Sequence, residues 1–286
     1  MTTIIDFLFA PLAYPFMVRG ILAALTVCIV CTVLGCFIIL RGMAFLGDAL
    51  AHAILPGVAI GYLVGAGARG PLFWWGLATG VLTSVGIGAI SEQGQVKEDT
   101  AIGVIFSGMF ALGVALISTV RSYSVDLSHF LFGDVLAVGL GDLVLTAAFG
   151  ALVLLLILAF YKEFLVLSFD PTLAATLRIH IRFFHYLLLV MLAVTIVIAL
   201  QTVGVGLMVA MLVTPAATAS LLTRRLPAMM SVGAAIGAFA AIAGLYISYY
   251  GNVASGAAIV LVSTAIFLLT FVFAPNKGVL WRRWHR

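Results

Sequence analysis

The sequence predicts an all-α, polytopic membrane protein, and two observations carry that prediction. Of 286 residues, 64% are hydrophobic and 8% charged, against roughly 45–50% and about 25% in a soluble domain. The apolar residues also fall into runs close to the roughly 20 residues that an α-helix needs to cross a bilayer. The polar stretches between them are short loops that leave no room for a soluble domain of useful size. A single transmembrane domain over residues 1–286 is expected, with eight or nine spanning helices. The 29 glycines suit helices that pack closely in lipid, where small residues let backbones approach.

Taken in order, Pro11 and Pro15 make a short non-helical or interfacial lead-in, without the basic region and small-residue cleavage site of a signal peptide. Spans then fall at roughly 16–40, 48–67, 72–91, 99–119, 141–161, 183–202, 203–223, 228–250 and 254–274. The first span holds Cys28, Cys31 and Cys36. Cys28-x-x-Cys31 has a spacing known from redox and metal motifs, but on a membrane helix small apolar side chains fill space, and no disulfide framework is expected. Only Thr202-Val-Gly-Val-Gly206 separates the sixth and seventh spans, so one of the two is open to being a half-helix or a re-entrant piece. Segment 127–138 is too short to span, and either lies at the surface or dips in.

Cytoplasmic loops carry an excess of Lys and Arg. With the N-terminus outside and nine spans, the inner side receives Arg41, Lys97, Lys162, Arg178, Arg182, Arg224, Arg225, Lys277, Arg282, Arg283 and Arg286, and the outer side only Arg19, Arg69 and Arg121. This orientation puts the C-terminus inside a cell membrane, with the tail Trp281-Arg-Arg-Trp-His-Arg286 as an aromatic and basic anchor. The net charge of +4 is thereby a topology signal and calls for no nucleic-acid partner. In the longest inner loop, about 162–182, Ser168 or Asp170 is placed to cap a helix and Pro171 suits its first turn. Residues 171–180 then form a short amphipathic helix with Leu173, Leu177 and Ile179 on or near one side, which serves either as a connector or as a dock for a cytoplasmic partner.

The chemistry concentrates at Asp48 and His52, in the run Gly47-Asp-Ala-Leu-Ala-His-Ala-Ile-Leu-Pro-Gly57 at the start of an apolar segment. A spacing of i and i+4 puts both on one helix face. Ionisable groups inside a bilayer are costly and mark function by default, and carboxylate and imidazole are common ligands of divalent transition metals. The plainer alternative is a buried Asp–His hydrogen bond that locks two helices together.

Several motifs in order resemble one family. They are the Gly47–Gly57 run, Glu98-Asp-Thr-Ala-Ile-Gly103 with Phe106-Ser107, and Asp126-Leu-Ser-His-Phe-Leu-Phe-Gly-Asp134. Phe169-Asp-Pro-Thr-Leu-Ala174, Val203-Gly-Val-Gly206 with Thr214-Pro-Ala-Ala-Thr-Ala219, and Ser255-Gly-Ala-Ala-Ile-Val-Leu261 complete the set. Over nearly its whole length the chain resembles the membrane permease subunits of ATP-binding-cassette importers for manganese, zinc and iron. The resemblance implies that Asp48 and His52 hold a metal ion in transit. It implies that Phe169, Asp170, Pro171, Leu173, Ala174 and Leu177 belong to a coupling helix seated on an ATPase subunit. It further implies a second permease copy, as a homodimer or a pair of like permeases, and an extracytoplasmic metal-binding protein. The metal is cargo, and no permanently bound cofactor is expected. Asn252 and Ala254 in Tyr250-Gly-Asn-Val-Ala-Ser-Gly256 depart from the more acidic or Pro-containing sequence of many zinc-type members, and Leu55-Pro56 looks closer to manganese and iron members.

Manganese accepts mixed oxygen and nitrogen ligands at about six-fold coordination, whereas zinc prefers four ligands with thiolate or imidazole. With no second His or Cys near Asp48 in the sequence, manganese is favoured, zinc and iron being the alternatives. Ionised Asp48 and neutral His52 would bind the ion, so acid weakens binding. No Gly-x-x-x-x-Gly-Lys-Ser/Thr phosphate loop occurs, which puts ATP hydrolysis on another chain and makes this one a non-catalytic permease. A permease for a siderophore or haem would not need the Asp–His pair. A gradient-driven transporter would carry more intramembrane carboxylates and internal repeats, and a His-Glu-x-x-His protease motif is missing. Among the other polar residues, Asp99 or Thr100 is expected to cap a helix, with a gating or ion-pair role for Glu98 and Asp99 as the alternative. His129 and Asp134 are read as surface groups or as acceptors of delivered metal, His180 and His185 as interfacial, and Gln201 and Thr214 as cross-helix hydrogen-bonding groups.

Overall fold

A computed structural model of the chain describes residues 9–65, 69–92, 96–119, 135–169, 174, 176 and 180–274. The helices are α1 (Pro15–Leu40), α2 (Leu46–Ala53), α3 (Leu55–Gly65), α4 (Arg69–Glu92), α5 (Glu98–Ser118), α6 (Leu140–Ala159), α7 (Tyr161–Phe169), α8 (Ile181–Val203), α9 (Val205–Leu222), α10 (Leu226–Gly251) and α11 (Ser255–Phe273). Short 3-10 turns stand at Pro11–Ala13 and Val135–Ala137. With α2 and α3 taken together as Leu46–Gly65, nine segments among the described residues are long and apolar enough to cross a membrane. Among those residues there is no β-strand. A bilayer offers no water to backbone N–H and C=O groups, so each span satisfies them internally.

The junction at 202–206 resolves into two separate helices, α8 of 23 residues and α9 of 18, so neither is a half-helix. Gly204 stands between them at φ 80°, ψ 169°, a conformation closed to side-chain-bearing residues. Asn252 ends α10 at φ 50°, ψ 38°, the left-handed cap position that Asn tolerates. Local geometry therefore accounts for an Asn in the run where the sequence departs from zinc-type members.

The chain forms two compact units. One is drawn from Met1–Ile39, Leu131–Ala151 and Thr202–Arg286, the other from Leu40–Phe130 and Leu152–Gln201. In the first, α9, α10 and α11 pack on one another. Its Thr32 hydroxyl donates to the Met211 carbonyl at 3.4 Å, and the bare Cα of Gly35 leaves room for the Leu212 carbonyl. Cys28, Cys31 and Cys36 are all buried there as free thiols, as filler side chains should be.

In the second unit α3 lies against α4 and α5. Gly57 and Gly61, one turn apart, face α4: a Cβ on Gly57 would collide with Thr79 and the Trp75 carbonyl, and one on Gly61 with Pro71 and Leu72. This is the small-xxx-small packing that brings membrane helices close. Pro56 has no N–H for the His52 carbonyl, and the helix accordingly divides at Ile54 into α2 and α3. The sequence reading starts a loop at 162, but α7 continues in helix to Phe169 because Phe164 and Leu167 are buried. Ser168 donates to the Phe164 carbonyl within α7.

Candidate functional site

Asp48 lies in the first turn of α2 and His52 in its last. The first turn favours a carboxylate, because unpaired N–H groups give a helix N-terminus partial positive charge. Asp48 Oδ1 and His52 Nε2 stand 3.7 Å apart, with side chains 39% and 32% exposed in this chain. That separation exceeds a hydrogen bond, so the pair is not a closed Asp–His lock. Two ligand bonds of about 2.1 Å reach one ion across such a gap without main-chain movement. No group of three or more His, Cys, Asp and Glu side chains converges among the described residues.

Aromatic rings wall the pair. The His52 ring meets Phe110 edge-on at 5.9 Å and Phe106 at 6.2 Å, and Phe45 meets Phe106 at 6.1 Å. These contacts fix the level of the pair. Phe106 and Phe110 lie 8 and 12 residues beyond Glu98, the first residue of the 21-residue helix α5, hence about 12 and 18 Å along it at a 1.5 Å rise. The pair therefore sits midway along a helix of spanning length. The sequence alone left this depth open; a turn closed by the Leu46 N–H on the Met43 carbonyl at 3.0 Å stands between Arg41 and α2.

A second polar cluster lies in the same unit. Arg41 Nη2 donates to His185 Nδ1 at 3.2 Å, and His185 Nε2 stands 3.9 Å from Glu98 Oε1. Because a guanidinium has only N–H donors, Nδ1 must be the acceptor and the neutral ring carries its proton on Nε2, facing the carboxylate. Burial pulls the Arg41 guanidinium below its ordinary pKa, and the Glu98 carboxylate pushes it back up. Arginine stays charged regardless. Beside this cluster Glu92 pairs with Arg182 and accepts the Tyr186 hydroxyl at 3.0 Å.

One expectation is corrected here. The N-cap of α5 is Lys97, with no side-chain cap bond, and its carbonyl accepts from Thr100 and Ala101. Asp99 and Thr100 are thus inside the helix, and Glu98 turns to Arg41 and His185. His185, 15% exposed, is enclosed against Arg41 near the start of α8, whereas His180 is exposed. A lone Arg in a loop and a His 144 residues away carry no local signal of their meeting. Of the coupling-helix residues, Phe169 is 61% exposed at the end of α7 and Ala174 is buried. Asp170, Pro171, Leu173, Leu177 and Ile179 lie outside the described residues, as do His129, Asp134 and the 281–286 tail.

Comparison with known proteins gives this geometry a setting. The chain is 50% identical over 273 residues to the manganese transport system membrane protein MntC of Halalkalibacterium halodurans, covering 96% of this chain and 92% of that one. It is 44% identical to the manganese import system permease protein ScaB of Streptococcus gordonii, over 94% of this chain and 95% of that one. Its fold matches the solved structure of PsaBC from Streptococcus pneumoniae in complex with Fab, with TM-score 0.84 and 42% identity, over 98% of this chain and 100% of that one. Residues 13–274 match the profile of the ABC 3 transport family, and the chain belongs to that family.

Proposed function

We propose that this chain is the permease subunit of an ABC importer that carries divalent manganese across the cytoplasmic membrane, with ATP hydrolysed on a partner subunit. The observation that carries the reading is the Asp48–His52 pair, 3.7 Å apart, held midway along the spanning helix α5. The manganese-named relatives, alike over nearly the full length, support the choice of metal. One carboxylate and one imidazole replace part of the ion's water shell without trapping it, as passage requires. Waters and the ligands of a second permease copy complete the coordination. An extracytoplasmic binding protein delivers the ion, and residues 169–180 dock on the ATPase and pass its motion to the spans. The excess of Lys and Arg in one set of loops supports an N-terminus outside and a C-terminus inside.

The test is uptake of radioactive manganese in cells that lack their own importers and express this permease with its ATPase and binding protein. Asp48→Ala and His52→Ala, each at wild-type level in the membrane, are expected to abolish uptake. Competition by excess zinc or ferrous iron ranks the cargo. Normal uptake in both variants would overturn the site assignment, and uptake of iron or zinc in preference to manganese would overturn the choice of metal.

A further inference from the structure

The cluster of Arg41, His185 and Glu98 has no part in the scheme above, yet it ties together the elements that build the ligand pair. Arg41 stands in the link that leads from α1 into α2, seven residues before Asp48. Glu98 opens α5, whose Phe106 and Phe110 lie against His52. His185, in the first turns of α8, accepts from Arg41 at one edge of its ring and faces Glu98 Oε1 at the other across 3.9 Å, longer than a hydrogen bond. About 12 Å of helix α5 separates Glu98 from Phe106, so Glu98 does not reach an ion at Asp48, and the Arg41 guanidinium would repel one. Arg41 Nη1 and Glu98 Oε1 are buried without any hydrogen bond. Such groups are costly when unpaired, and the attraction between the Arg41 and Glu98 charges offsets part of that cost.

We propose that His185 is a positioning residue for transport. It accepts from Arg41 and turns Nε2–H toward Glu98 across 3.9 Å, a hydrogen bond on one side and an electrostatic attraction on the other, which together hold α2 against α5 and with it the alignment of Asp48, His52 and the phenyl rings. This rests on the proposed manganese permease function. Where outer groups orient metal ligands, their loss costs about 10–100-fold in affinity or activity, and a helix-borne connection belongs at the low end.

The experiment measures initial-rate manganese uptake against concentration in cells that express the complete importer. His185→Phe keeps the ring and removes both nitrogens, and its apparent KM is expected to rise about tenfold at normal membrane abundance. His185→Gln, whose amide can accept from Arg41 and donate to Glu98, is expected to return KM close to wild type, a rescue that a space-filling role would not give. A wild-type KM in His185→Phe overturns the inference. If that variant does not reach the membrane, Glu98→Gln is read in the same assay, where a raised KM supports the clamp and an unchanged KM overturns it. A wild-type importer that takes up no manganese refutes the function, and with it this inference.

Discussion

Gly61→Ala tests whether the close approach of α3 to α4 sustains the unit of the fold that carries Asp48 and His52. A Cβ at position 61 would lie 2.8 Å from the Leu72 Cα and the Pro71 carbonyl oxygen and 3.0 Å from the Pro71 carbonyl carbon. Non-bonded carbons settle at about 3.5–4.0 Å, so the helices must part by about 1 Å. All three atoms are backbone and cannot turn aside as a side chain would. The cost therefore belongs near the upper end of overpacking, about 3 kcal/mol. Alanine favours a helix over glycine by about 1 kcal/mol, which leaves a net loss of about 2 kcal/mol. That is about thirtyfold in the folded-to-unfolded ratio, and a melting temperature lower by about 4–8 °C. The assay is thermal unfolding of the purified chain in detergent. The control is Gly141→Ala in α6, where a Cβ would have nothing within 4 Å, with unchanged or slightly higher melting expected. Equal melting of Gly61→Ala and wild type would refute the packing argument.

Three further outcomes follow from the same structure. Gly204→Ala places a Cβ at φ 80°, ψ 169° and is expected to cost about 1–3 kcal/mol, read as a lower melting temperature; an unchanged value would mean that the junction relaxes freely. Glu98→Gln leaves the part-buried Arg41 charge uncompensated and should be less stable than the Arg41→Gln, Glu98→Gln double variant by about 1–3 kcal/mol; equal stability would show that the two charges do not interact. If Asp48 and His52 bind the ion as proposed, protons compete with it for both groups, so manganese uptake should fall as the medium is acidified while ATP hydrolysis by the complex is unchanged. A flat pH profile would count against imidazole and carboxylate ligation.

The spans were legible because in lipid an apolar run of sufficient length has one structural outcome, and ends such as Glu98–Ser118 and Leu226–Gly251 fall within a few residues of the hydropathy reading. Asp48 and His52 were legible for a related reason: a helix brings residues four apart together without help from the rest of the fold. Three things needed the tertiary structure. The depth of the pair depends on Phe106 and Phe110, more than 50 residues away in sequence. The role of Glu98 depends on Arg41 and His185, and an acidic residue beside a predicted helix start reads as a cap. The division of the 202–206 run depends on one glycine dihedral, which neither spacing nor composition specifies.

The rings around His52 have a consequence for which ions can pass. An ion at the proposed site would lie beside the phenyl surface of Phe106 and Phe110 against His52, with Phe45 behind Phe106, which provides no oxygen in place of departing waters. On the proposed pathway, entry is therefore a stripping step, and its rate depends on how readily a cation lets water go. Magnesium gives up water reluctantly and demands near-ideal octahedral oxygen geometry, neither of which a carboxylate, an imidazole and a hydrocarbon wall accommodate. Discrimination against the commonest divalent cation in the cell is then kinetic, made by what the wall withholds. Manganese uptake that stays unaltered under a large excess of magnesium, and turns magnesium-sensitive when Phe106 and Phe110 are replaced by serine, would be its signature.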